Sequence, residues 1–258
     1  MGFYDLPKAD REQKYKDIQD DILRCLISDD HAIAAAYFND ADTYIRKAAY
    51  LGVGRIYKQE LAPEAIVICM LDALMKSDSA RVRQTVINAA GEIAIIDFAP
   101  VEHLFDVGIT DPHHSVRNAV QGSLKKAGGK NPAQVIPFCR RHIASPEPET
   151  RRTAAHGLEF CGRTHPEDVM PVLRLLQYET HKRVRSMLVH TFGQISYKKG
   201  CLEKATAELL TWEDKALADE CFEEIISQHR HIDSHFRTVE TLSPQECEDY
   251  LREMRKER

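Results

Sequence analysis

An arginine that follows an apolar or small residue returns along the chain at Arg46, Arg83, Arg117, Arg151 and Arg185, at spacings of 37, 34, 34 and 34 residues. A period of this length makes each copy one supersecondary unit that has to stack on its neighbours. With each arginine taken as position zero, apolar or small residues fall at −1, +2, +3, +6, +7 and +10. The first copy has Ile45, Ala48, Ala49, Gly52, Val53 and Ile56 there, and the second has Val82, Thr85, Val86, Ala89, Ala90 and Ile93. The fifth has Val184, Met187, Leu188, Thr191, Phe192 and Ile195. At about 100° per residue these positions share one side of a helix about three turns long. A weaker sixth copy carries Asp219 at the anchor, with Phe222 and Ile226 on its apolar face.

Each of these helices is expected to follow another, over residues 63–76, 100–107, 132–144, 166–178 and 202–212. Four of the five open with Pro at or near the first turn, where a missing N–H costs nothing. Asp40, Asp111 and Glu179 stand six residues before their anchors, and Asp78 five before. A carboxylate there caps the second helix or pairs with a neighbouring arginine. No sustained period-two alternation and no Asn-Gly hairpin signal occurs, so the fold class is all-α. Helix pairs that cannot bury their apolar faces alone stack into a solenoid.

The segments IRKAAYLGVGRI (45–56), VRQTVINAAGEI (82–93) and VRSMLVHTFGQI (184–195) resemble the second helix of HEAT repeats, above all the short bacterial repeats of phycobilin-lyase-like proteins. The resemblance covers about residues 29–228. It implies a right-handed α-solenoid of five to six helix pairs, with a ladder of turn Asp and second-helix Arg. The fourth repeat departs from that ladder, with Ser145 where Asp is expected. The expected organisation is a single domain over 1–258: an N-terminal capping helix within 1–28, repeats over 29–228 and a C-terminal capping segment over 229–258. Ser243-Pro244-Gln245-Glu246 has a capping-box pattern for a last helix ending in Arg252, Arg255, Lys256 and Arg258.

Acidic ends frame a more basic middle. Residues 1–40 hold 5 basic and 9 acidic side chains, residues 211–258 hold 7 and 13, and residues 41–210 hold 23 and 18. Such ends suit the polar caps of a solenoid. No apolar run approaches the roughly 18 residues of a membrane span, and no basic, apolar leader opens the sequence. The seven Cys never form C-x-x-C and are expected to be reduced core residues of a cytoplasmic protein.

In HEAT-like stacks the second helices line the concave face, so positions +1, +5 and +8 are candidate binding positions. From these rows we take Lys47, Asn88, Asn118, Arg152, His156 and His190 as partner-binding residues that supply hydrogen bonds and charge. Gly54, Gly91 and Gly193 in the +8 row are expected to serve close helix packing. The anchor arginines are expected to be structural, since turn carboxylates stand ready to pair with them.

No catalytic residue, metal ligand or cofactor is assigned. His231 and His235 are four apart, as a helical metal pair requires, but residues 228–235 lack a convincing helical pattern. Deoxyhypusine hydroxylases build an iron site on HEAT repeats from His-Glu dipeptides, and this chain has none. More distantly the chain resembles the HEAT-like DNA glycosylases that excise alkylated bases. That resemblance implies a groove with several aromatics, two of them Trp, beside a carboxylate. Here Trp212 is the one Trp and lies in the wrong part of its repeat, which leaves Tyr50 as the groove aromatic. The expectation is a non-enzymatic scaffold holding a protein or peptide partner on its concave face. The alternative is a nucleic-acid-binding or DNA-alkylation-repair-like protein.

Overall fold

In a computed structural model of the chain, which describes residues 3–28, 30–235 and 242–256, every arginine-anchored segment is helical. The chain divides into two compact units, Met1–Asn131 and Pro132–Arg258. Among the described residues there is no strand.

In the first unit, α1 (Lys8–Ser28) is helical over the segment expected to be a cap and packs on the first second-helix. Three pairs follow: α2 (Ala32–Asn39) with α3 (Thr43–Lys58), α4 (Glu64–Met75) with α5 (Ala80–Ala94), and α6 (Glu102–Ile109) with α7 (His114–Gly128). The second helices α3, α5 and α7 stack on one another in that order. Their six apolar positions make the core. Val82, Thr85, Val86, Ala89, Ala90 and Ile93 of α5 are all buried.

Helix starts follow from local chemistry. Asp42 caps α3 by accepting the Tyr44 N–H at 2.8 Å, and its other oxygen takes the Phe3 N–H at 2.7 Å. His113 caps α7 through Nδ1, which accepts the Ser115 N–H.

In the second unit, α8 (Pro132–Ile143) pairs with α9 (Pro148–Gly157), which continues after Leu158 as the short α10 (Glu159–Gly162). Next come α11 (Pro166–Leu173) with α12 (Lys182–Ser196), and α13 (Leu202–Leu210) with α14 (Lys215–His235). Helices α9, α12 and α14 stack as the second-helix layer. The interruption at Leu158 is a tightening of the helix, since the Leu158 N–H bonds back three residues, to the Ala155 carbonyl at 3.3 Å.

The last helix, α15 (Pro244–Lys256), packs on α14 and α13. Its capping box forms as predicted. Ser243 N–H donates to Glu246 Oε2 at 2.8 Å, and Glu246 N–H donates to Ser243 Oγ at 3.3 Å. Arg258 lies outside the described residues.

One expectation is corrected here. Residues 229–235, read from sequence as poorly helical, continue α14 without a break. Ile225, His229 and Ile232 bury one stripe of that helix, and this packing outweighs its polar composition. The fold is an all-α solenoid of stacked helix pairs. No helix among the described residues is long and apolar enough to cross a membrane.

Candidate functional site

The anchor arginines are accounted for first, because a row of guanidinium groups could hold phosphates. Nη1 of Arg83 donates to the carbonyls of Ser77 and Asp78 at 2.8 and 3.0 Å, six and five residues back. Arg46, Arg117 and Arg151 repeat this contact on their own turns. The other edge of the guanidinium reaches into the next repeat. Arg83 binds both oxygens of Asp111 at 2.7 and 3.1 Å, and Arg151 binds both of Glu179 at the same two distances. Arg185 takes Glu220, with Asp214 at 3.6 Å. Arg46 and Arg117 differ: Arg46 Nη2 donates to Thr43 Oγ1 at 3.0 Å on its own helix, and Arg117 Nε is buried without a hydrogen-bond acceptor, the residue 28 places on in sequence being Ser145. The row is structural, as expected.

Burial pushes the Asp111 carboxyl up, but Arg83 and the His113 N–H together outweigh burial and hold it below its ordinary value. Glu179 follows the same rule with Arg151 and the His181 N–H.

The six partner-binding candidates separate into two groups. Lys47 on α3 and Asn118 on α7 are exposed, and Asn88 on α5 is half-buried, so these three stand on successive helices of the first unit. Arg152, His156 and His190 belong to the second unit, where the face is closely connected. Arg152 Nε donates to Glu149 Oε2 at 3.1 Å, and Arg183 of α12 holds the other oxygen at 2.7 Å.

His156 and His190 are brought together, their rings edge to face with centroids 5.6 Å apart. They close a circuit of polar side chains over α9–α10, α12 and α14. His156 Nε2 lies 3.0 Å from Glu159 Oε2, and Arg163 donates to Glu159 Oε1 at 2.5 Å. Arg163 also donates to Gln194 Oε1 at 2.9 Å, and Gln194 donates to Gln228 Oε1 at 2.7 Å. Gln228 donates to Glu224 Oε1 at 2.8 Å, and that oxygen stands 3.8 Å from His190 Nδ1. His190 beside Glu224 holds that carboxyl below its ordinary value. Glu159 is buried, and the Arg163 guanidinium that neutralises it lies over the rings of Phe160 and Tyr197.

Sequence reasoning placed Glu159 in the +8 row without choosing it, and missed Arg163, Gln194, Glu224 and Gln228. A signal for some of them existed. Glu224 is position +5 of the weak sixth copy, in the row of His156 and His190, and Gln194 and Gln228 share position +9.

Between α12 and α14 lies an open groove of about 780 Å³. Asp219, Glu220, Glu223 and Glu224 line one wall, against Lys182 and Arg185 on the other. Arg255 of α15 reaches Asp219 at 3.0 Å and Glu223 at 3.3 Å from one end. Carboxylates outnumber cations along this groove.

Neither Trp212 nor Tyr50 offers an open stacking face. Trp212 is fully buried, edge-on to Phe192, and its indole N–H donates to Glu208 Oε1 at 3.1 Å. Tyr50 is half-buried, and burial, followed by the nearby Glu92, pushes its phenol up. On α14, His229 is buried with Nδ1 2.8 Å from the Ile225 carbonyl, while the His231 and His235 rings stack at 4.4 Å.

The glycines of the +8 row behave as predicted. A Cβ on Gly91 would come within 2.4 Å of Ser123 Oγ, and one on Gly193 within 2.7 Å of Gln228 Cγ.

Fold and face together define a helical-repeat protein with a polar second-helix surface. Two solved structures from Streptococcus mutans share the fold. AlkD2 matches with a TM-score of 0.53 at 14% identity, covering 79% of this chain and 97% of that one. The protein smu.31 matches with a TM-score of 0.52 at 16% identity, covering 73% and 97%. No family model matches the chain, and no curated protein does either.

Proposed function

We propose that this chain is a non-enzymatic scaffold whose second unit holds a basic segment of a protein partner along the second-helix face. The observation that carries this reading is the groove between α12 and α14, where Asp219, Glu220, Glu223 and Glu224 outnumber Lys182, Arg185 and the Arg255 at its end. Neighbouring cations already hold carboxylates: Arg152 and Arg183 hold Glu149, Arg163 holds Glu159 and Arg185 holds Glu220. A phosphate backbone entering here would meet those acids, whereas Lys and Arg side chains would find them. Arg152, His156 and His190 supply the polar contacts beside the groove, and Lys47, Asn88 and Asn118 are a separate set of polar positions on the first unit.

A second reading, nucleic-acid binding, draws on the 23 basic against 18 acidic residues of positions 41–210 and on the fold shared with AlkD2. The burial of Trp212 takes the one Trp out of reach of a flipped base, which weighs against a repair activity. The two readings separate on one experiment. Fluorescent Lys/Arg-rich peptides and fluorescent single- and double-stranded DNA are titrated at low and physiological salt. The scaffold reading expects peptide binding that Glu220→Lys with Glu223→Lys abolishes. DNA binding that persists at physiological salt without peptide binding would overturn it.

A further inference from the structure

We propose that His156, Glu159 and His190 form a binding site for a zinc-class divalent cation. The nitrogen and oxygen ligand atoms of the three side chains all lie within 4.8 Å of one another. Ligands about 2.0–2.2 Å from a tetrahedral zinc ion stand about 3.4 Å apart, so small side-chain rotations bring this set to coordinating distance. Two imidazoles and a carboxylate are the donor set of open, three-ligand zinc sites, and they select against magnesium and calcium, which take oxygen donors.

The surroundings support the three ligands. Glu159 is 2% exposed, and Arg163 fixes its Oε1 while Oε2 faces His156. Glu224 Oε1 stands 3.8 Å from His190 Nδ1, from where a side-chain rotation would make it the outer-shell carboxylate of a metal-bound imidazole. The side chain of His190 is 41% exposed, which opens the site to solvent and leaves room for a water or partner atom as fourth ligand.

No local motif announces this site. His156 and His190 are one 34-residue period apart at the same repeat position, and stacking of α12 on α9 joins them. Glu159 follows His156 by three residues, on the same side of the helix. None of the three ligands lines the acidic groove, although His156 and His190 stand beside it and Glu224 is part of its wall; zinc titration without peptide therefore tests the site apart from the peptide reading.

The test uses the full chain, cleared of metal with a chelator and titrated with zinc chloride by calorimetry, then with cobalt(II) by visible absorption. The expected result is one ion per chain, with tetrahedral cobalt absorption and no comparable response to magnesium. His190→Ala removes binding and Glu224→Gln weakens it about tenfold, both with unchanged circular dichroism. Glu159→Gln, which keeps an acceptor for Arg163, also removes it. The exposed His231–His235 pair is the competing binder, so the double variant His231→Ala with His235→Ala retains the site. Absence of zinc binding, or binding that survives His190→Ala, or binding lost with His231 and His235, overturns the proposal.

Discussion

The guanidinium of Arg83 grips both oxygens of Asp111, and the two residues belong to successive repeats. Their side chains are 15% and 4% exposed, so the pair is held largely away from solvent. Asp111→Ala strands a buried cation and also removes the acceptor of the His113 N–H. It is expected to cost about 2–3 kcal/mol in urea unfolding. Arg117→Met, at the anchor whose Nε lacks an acceptor, costs less than Arg83→Met in the same assay.

Acid sensitivity follows from the same pairs. Asp111 and Glu179 both have folded-state values held below their ordinary 3.8 and 4.5. Their contribution is therefore complete above those ordinary values and is lost as pH falls through the lower folded-state values. The chain is expected to lose stability steeply below about pH 4.5. The double variant Asp111→Asn with Glu179→Gln is less stable at neutral pH and shows a shallower acid decline by thermal melts.

Two glycines on the second helices separate packing from helix propensity. A Cβ at Gly91 collides with Ser123 of the next helix, whereas one at Gly122 meets nothing within 4 Å. Gly91→Ala is expected to destabilise by about 1–3 kcal/mol. Gly122→Ala is expected to stabilise by up to about 1 kcal/mol. Matching signs for the two in chemical denaturation would contradict the packing described.

The thiols predict their own reactivity. Burial pushes Cys161 and Cys247 up to about 12 and raises Cys139 and Cys221 as well, while Cys69 is exposed. A maleimide at neutral pH is expected to label Cys69 in the native chain and all seven cysteines after denaturation, as read by mass spectrometry.

The helix register was legible because the six apolar positions repeat with their arginine, and a buried stripe leaves that trace in sequence. What lay across repeats was harder to read. Arg83 and Arg151 pair forward with the next turn and Arg185 with Glu220 in the next second helix, and residue types alone do not say which neighbour a guanidinium meets. His156 and His190 were recognisable as members of one row, yet Glu159 stands at a position where three other copies carry Gly. Its role depends on the tightening at Leu158 and on Arg163, both tertiary facts. Residues 229–235 misled because polar composition hid a buried stripe of Ile225, His229 and Ile232.

The forward direction of the arginine ladder has a consequence for how such a chain grows. The fifth copy accepts from the copy before it, through Glu179 and Arg151, and donates to the copy after, through Arg185 and Glu220. A module of that kind, added or excised in register, leaves the charge ledger of its neighbours intact. Lengthening by tandem duplication is then electrostatically neutral wherever the turn carries its acid. At the fourth copy, whose turn has Ser145, the same duplication would repeat a turn without an acid.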